Sequence, residues 1–365
     1  MPPRRSSPLL LCMFLVGGAL GGCNGRTIDE PSTDPPTPEP EVIVEEVQFR
    51  HGDNLLAGNV FRPNLPGRRP AVALVFGSGA QDRRYGGAGP ALGRHFARNG
   101  FACLAWDKPG VGKSTGDFNV QTFDDRASEA LAGLQYLRER PEVRADAVGL
   151  WGHSQGGMVV PLAASLSDKV SFVIQVSGWQ GAAWRQDAVR VEAELRANGS
   201  PEGDVKEAVA FAQIRMAIIR GTGSFEELES AQAKVKLRPW FASVHWCDRA
   251  LFLAARRNVE YETGPSWEKV RCPVLVIYGN KDTSSGLPEP LVALIRGGLE
   301  KAQNAGVTVR VFPGADHSLC YAQTGGQKGQ ARRVEAQKDQ SDPDFVPGYL
   351  DAMTDWLGKQ FRSGS

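Results

Sequence analysis

Residues 147–166 read AVGLWGHSQGGMVVPLAASL: an apolar strand-like run, a glycine-rich turn, then an apolar helix-like run. No other stretch restricts the fold so closely. A run apolar at every place suits a strand buried on both faces of a parallel sheet. The turn that follows is Gly-x-Ser-x-Gly, with Gly152 and Gly156 two places either side of Ser154. Small residues at those places let a serine on a tight strand-to-helix turn project outward without a clash, and this makes Ser154 the candidate nucleophile.

The same alternation runs along the chain. "EVIVEEVQF" and "NLLAGNVFRP" flank residues 51–54 and read as a hairpin. "AVALVF" (71–76), "FACLAW" (101–106), "VSFVIQVSG" (170–178), "VLVIYGN" (274–280) and "VTVRVFPG" (307–314) read as further strands, separated by helical patterns such as "FDDRASEALAGLQYLRER". Strand-helix alternation implies right-handed crossovers and a mostly parallel sheet. The rhythm breaks over 181–268, which holds helical stretches and many aromatics, and returns after Pro273. The expected organisation is one α/β core, 42–180 and 269–362, interrupted by a helical cap insertion over 181–268. The cap aromatics Trp179, Trp184, Trp240, Phe241 and Trp246 are expected either to cover an acyl pocket or to pack the insertion.

A serine hydroxyl needs a base, and the base needs an orienting carboxylate. Of five histidines, His317 in "FPGADHSL" follows the last strand-like run, where a loop can reach back over the sheet end. His153 sits on the turn itself, His95 is expected on a solvent-facing helix surface, His51 lies in the hairpin, and His245 is expected to pack among the cap aromatics. Asp282, just past "VLVIYGNK", is the candidate acid; Asp316 is too close in sequence to hold the ring of its neighbour. The order serine, acid, histidine is that of one known arrangement of such triads. Negative charge developing on the substrate oxygen also needs donors. One is the amide of Gln155; the second comes from "GSGAQDR", where Ser78 is favoured over Gly79, with the glycines otherwise serving only the turn.

"GVGKST" (110–115) imitates the end of a phosphate-binding loop, but the place five residues before Gly112 is Asp107, not glycine. An aspartate there puts negative charge where phosphates would lie, so nucleotide binding is set aside. Lys113 and Ser114 are then residues of a structural loop at the border of the pocket.

Lys and Arg number 42 against 41 Asp and Glu, a net charge of +1, which gives no overall electrostatic case for nucleic acid or an anionic membrane surface. Arg4 and Arg5 precede a short apolar run, the grammar of a signal peptide over 1–22. "PSTDPPTPEP" then makes 23–41 an extended tether. Cys103, Cys247, Cys272 and Cys320 show no CxxC pairing, so neither a zinc site nor another metal centre is expected and no cofactor is implied. In an oxidising compartment one or two disulfides among them are compatible with the sequence. Cys103, inside an apolar run, reads as a small buried hydrophobe.

"GSGAQDR", "WDKPGVGKSTG", "GHSQGG", "YGNKD" and "FPGADHSL" together make the chain from about 42 to 362 resemble bacterial serine α/β-hydrolases of the dienelactone-hydrolase, serine-aminopeptidase and acyl-esterase neighbourhood. The resemblance implies an eight-stranded, mostly parallel sheet, a cap after the sixth strand, and Ser154, Asp282 and His317 as nucleophile, acid and base. It implies hydrolysis of small or medium acyl esters, with peptide or amide cleavage, aided by acidic cap residues such as Glu192, Glu194 or Glu227, as one alternative and an inert tethered binding protein as another. Phe76 stands where many relatives have histidine. "LGGC", ending at Cys23, resembles a bacterial lipobox and implies lipidation of Cys23 and a place at the periplasmic face of the outer membrane; the alternative is an ordinary signal peptide cleaved nearby.

Overall fold

The computed structural model describes residues 39–324 and 342–361. The expected leader, Cys23 and the tether as far as residue 38 lie outside the described residues. β1 (Val42–His51) and β2 (Asn54–Pro63) pair antiparallel, with His51 opposite Asn54. Gly52 opens the two-residue loop between them with φ 55°, and a positive φ at that place matches the twist of a hairpin. The remaining strands are β3 (Arg69–Val75), β4 (Ala102–Trp106), β5 (Val143–His153), β6 (Val173–Val176), β7 (Val274–Gly279) and β8 (Val307–Phe312). They form one eight-stranded sheet in the order β1-β2-β4-β3-β5-β6-β7-β8. β2 meets β4 antiparallel, and every pairing from β4 to β8 is parallel.

The helices in chain order are α1 (Ala88–Arg98), α2 (Phe123–Arg138), α3 (Gln155–Leu166), α4 (Ala183–Ala197), α5 (Glu202–Ala217), α6 (Phe225–Val235), α7 (Phe241–Val244), α8 (Arg249–Asn258), α9 (Gly264–Trp267), α10 (Pro288–Lys301) and α11 (Tyr349–Phe361). Because successive strand residues point to opposite faces, β3 sends Ala71, Ala73 and Val75 into a layer with α2, α3, α9 and α10, and Val72 and Leu74 into a layer with α1 and α11. Each large apolar side chain taken fully out of water contributes about 1.5–3 kcal/mol, whereas an exposed ion pair contributes less than about 1 kcal/mol. The two apolar layers therefore hold the strands and fix where their ends fall. Among the described residues no helix is long and apolar enough to cross a membrane.

Helices α4 to α9 lie between β6 and β7 in the chain. The ends of this insertion are stitched to each other. Ala182 bridges Glu262, the Gly181 amide donates to Thr263 Oγ1 at 2.8 Å, and the Ala183 amide donates to the Tyr261 carbonyl at 2.8 Å. The insertion has its own small cores, one around Val191, Leu195, Phe211 and Trp240, another around Ile219, Phe225, Leu228 and Phe252. A charged network ties α4 to α5: Asp187 accepts from Arg190 at 3.1 Å and from Arg215, and Arg215 also donates to the carbonyls of Val244 at 2.6 Å and His245 at 3.0 Å.

Two expectations, those for His95 and His245, are corrected here, and the alternatives left open for the aromatics are resolved. Trp240 is buried in the insertion's own core, Trp184 packs beneath the guanidinium groups of Arg185 and Arg220, and Trp246 is exposed, so these rings pack or decorate the insertion. His95 is half-buried because α11 covers that side of α1, and its Nε2 meets Thr354 Oγ1 at 3.2 Å. His245 is exposed, in the turn that ends α7 with φ 63°. No disulfide links the four described cysteines to one another, and Cys103 is a buried hydrophobe as expected.

Candidate active site

β5 ends at His153 and α3 starts at Gln155, which leaves one residue, Ser154, to turn the chain. It does so at φ 57°, ψ −121°. For a residue with a side chain this conformation costs on the order of 1–3 kcal/mol, and it persists only where its surroundings impose it. The surroundings here are two close approaches. A Cβ on Gly156 would lie 1.9 Å from the Val75 carbonyl oxygen, and one on Gly152 would lie 2.3 Å from that of Gly156. No side chain fits either place, so the Gly-x-Ser-x-Gly spacing is a packing requirement of the turn.

Asp282 lies just beyond β7 with its carboxylate buried. The amides of Ser284 and Ser285 donate to its Oδ1 at 2.8 and 3.0 Å. His317, in the loop after β8, directs Nδ1 at both carboxylate oxygens, 3.0 Å from each. Burial opposes ionisation of Asp282, but the facing His317 outweighs it and holds the carboxyl below its ordinary value. Burial likewise works against a charged His317, while Asp282 pulls the other way and leaves the ring above its ordinary value. With Nδ1–H committed to the carboxylate, Nε2 is left to accept a proton. Ser154 Oγ and the His317 ring are not hydrogen-bonded to each other; in ligand-free sites such bonds commonly tighten only when substrate arrives.

What brings His317 to the serine turn is a residue that sequence reasoning passed over. His153 Nε2 donates to the His317 carbonyl at 2.8 Å, and the two rings lie 4.9 Å apart. A carbonyl only accepts, so His153 carries its proton on Nε2, and its Nδ1 accepts a hydrogen bond from the Tyr85 hydroxyl at 2.6 Å. The Tyr85 oxygen in turn accepts from the Gly77 amide at 3.2 Å. One neutral imidazole thus joins the loop after β3, the serine turn and the histidine loop. Burial, and next the neighbouring His317, push its pKa down to about 3.

The loop after β3 passes close to the nucleophile: a Cβ on Gly77 would lie 3.1 Å from that of Ser154. Ser78, Ser154 and Gln155 border one cavity of about 190 Å³ with Phe123, Met158 and Met216. A neighbouring cleft of about 490 Å³ shares Ser78, Phe123 and Gln155 and adds Lys108, Arg126 and Leu251. Lys108 and Arg126 line it beside polar residues such as Gln121, Asp248 and Asn258, whereas Lys113 and Ser114, expected at the border of the pocket, do not. Lys113 is exposed and pairs with Glu46 at 2.9 Å; Ser114 is buried, accepting from the Ala57 amide at 2.9 Å and donating to the Asp107 carbonyl at 2.7 Å. Asp107 holds the turn, accepting from the Arg83 amide at 2.7 Å and the Lys113 amide at 3.0 Å. Among the described residues no three His, Cys, Asp or Glu side chains are gathered as a metal ion would require.

The sequence profile of the Alpha/beta hydrolase family matches residues 74–324, more than half of the chain. The chain belongs to the alpha/beta hydrolase family. Among curated proteins this alpha/beta hydrolase is similar to Thiohydrolase aneE of Aspergillus aculeatus, 27% identical over 151 residues that cover 41% of this chain and 46% of that protein. It spans less than half the length of the curated relatives it matches, 46% and 30%. Its fold is shared with an esterase of Pyrococcus furiosus, at TM-score 0.51 and 15% identity, covering 87% of this chain and 91% of that one. It is also shared with Est1E of Butyrivibrio proteoclasticus, at TM-score 0.50 and 17% identity, covering 87% and 98%.

Proposed function

We propose that this alpha/beta hydrolase is a serine hydrolase that cleaves carboxylic esters of small or medium acyl groups through an acyl-enzyme. Ser154 Oγ attacks the acyl carbonyl, His317 Nε2 takes its proton and returns it to the leaving oxygen, and Asp282 steadies the ring. The Gln155 and Ser78 amides hold the developing oxyanion. The observation that carries this reading is the His317–Asp282 pair, 3.0 Å to both oxygens, docked through His153 onto a serine held at φ 57°. Turnover of p-nitrophenyl acetate and butyrate tests it: Ser154→Ala is expected to lower kcat by about 10⁴-fold or more, and unchanged turnover would sink the assignment. Thioesters belong in the same panel, given the similarity to a thiohydrolase.

Peptide or amide cleavage on the same triad is the weaker reading. Glu192 is bonded to Arg196 at 3.1 Å, Glu194 to Arg190 at 3.3 Å, and Glu227 caps α6 through the Ser224 amide at 2.6 Å. Among the described residues no carboxylate borders the cavity at Ser154, and Asp248 of the neighbouring cleft caps α8 through the Leu251 amide at 2.8 Å. A protein that turns over neither esters nor aminoacyl anilides, and whose Ser154 resists a fluorophosphonate probe, would be an inert binding protein. We further propose that the chain is exported and lipidated on Cys23, that residues 23–41 tether the domain at the periplasmic face of the outer membrane, and that 181–268 cap the site. Metabolic labelling with an alkynyl fatty acid measures the lipidation.

A further inference from the structure

Lys108 and Arg126 are both buried, 4% and 6% exposed, and neither makes an ion pair within 4.0 Å among the described residues. Their donors go elsewhere. Lys108 Nζ donates to the carbonyls of Gly77 at 2.5 Å and Gly79 at 3.0 Å. Arg126 Nη2 donates to the Phe76 carbonyl at 2.7 Å, and Nη1 to Gln155 Oε1 at 2.5 Å. The acceptors are three carbonyls of a single loop and the side chain of the residue after the nucleophile. Glu129 lies behind this pair, fixed by Trp106 Nε1 at 2.7 Å and Gln121 Nε2 at 2.5 Å.

The peptide geometry gives these bonds a consequence. In a trans peptide the C=O and N–H point in opposite directions. Holding the Gly77 carbonyl toward Lys108 turns the Ser78 N–H of the same peptide away from the lysine. Holding the Phe76 carbonyl toward Arg126 turns the Gly77 N–H away likewise, and that amide meets the Tyr85 hydroxyl at 3.2 Å. Hydrogen bonds in series polarise one another, so a donor on the Gly77 carbonyl also strengthens the Ser78 N–H as a donor. Glycine at 77 and 79 leaves this loop too pliant to hold one orientation unaided.

We infer that Lys108 and Arg126 are positioning residues for acyl transfer, bracing the 76–79 loop and Gln155 so that the Ser78 and Gln155 amides face the substrate oxyanion. The inference rests on the ester-hydrolase reading above. Burial, and next Arg126, push the Lys108 ammonium down to about 6. Two N–H bonds remain on a neutral amine, so the brace on the two carbonyls survives in either form.

The test compares an ester with its thiono analogue, whose sulfur accepts poorly from amide donors. The ratio of the two kcat/KM values reports the oxyanion site and is independent of how much of a preparation is folded. Lys108→Met is expected to lower ester kcat by about 10- to 100-fold, less than the loss of a whole oxyanion donor, with KM changed by less than about threefold. The ester-to-thionoester ratio should fall by about tenfold or more, together with affinity for a trifluoromethyl ketone. Arg126→Lys, which keeps one bond to the Phe76 carbonyl and loses the fork to Gln155, is expected to fall between wild type and Lys108→Met; it carries the test alone if Lys108→Met does not fold. A wild-type ratio in both variants overturns the inference, even where kcat has dropped. A wild-type protein inactive on esters overturns the functional reading instead, and the two failures are told apart before any variant is made.

Discussion

At the scale of single residues, His153 shows how a contact network sets a charge. In the unfolded chain this imidazole titrates near 6.5, whereas burial and His317 push it to about 3 in the fold. Between those values the unfolded chain binds the extra proton, so His153 costs no stability above about pH 6.5 and an increasing amount below it. The slope approaches 1.4 kcal/mol per pH unit. His317 has the opposite sign, because its raised pKa gives stability that is complete below 6.5 and is lost as pH rises through the folded value. Urea unfolding of wild type and His153→Gln separates the two. The stability advantage of wild type should shrink by about 1 kcal/mol per pH unit on average from 6.5 to 5, steepening towards about 1.4, and a constant difference would contradict the neutral ring.

At the scale of elements, the serine turn is held by backbone contact on both sides. Gly156→Ala would press a methyl to 1.9 Å from the Val75 carbonyl, with backbone and not a pliant side chain in the way. The expected loss is about 3 kcal/mol or more, with ester turnover falling because α3 and β3 must separate; a midpoint within one degree of wild type would show that the contact can relax. Contacts of this kind are why the turn was legible in the sequence: glycine spacing, buried strand and following helix are all local. The hairpin and the mostly parallel sheet were legible for the same reason, as period-two and unbroken apolar runs. Lys108, Arg126, Tyr85 and His153 were not. Each has a partner tens of residues away or more: 31 separate Lys108 from Gly77, 50 separate Arg126 from Phe76, 68 separate Tyr85 from His153, and 164 separate His153 from His317. A charged residue just past an apolar strand reads as solvated until another loop is known to cover it.

At the scale of the whole molecule, the lipoprotein reading predicts that Cys23→Ser leaves the protein unlabelled by fatty acid and released from the membrane fraction. Its kcat on p-nitrophenyl butyrate should stay within about twofold of wild type, because every residue proposed for the triad and the oxyanion site lies within the described residues 39–324. A labelled Cys23→Ser protein would refute that site. The helical insertion, for its part, leaves and rejoins the core at one seam, 181–183 against 261–263. Two chain ends already clasped together ask little of what is strung between them, since closing a loop twice as long costs only about 0.6 kcal/mol more. The stretch between them can therefore be traded for a longer, shorter or unrelated one as a cassette, and if it caps the site as proposed, the exchange alters what reaches Ser154 while the sheet and its serine turn stay as they are.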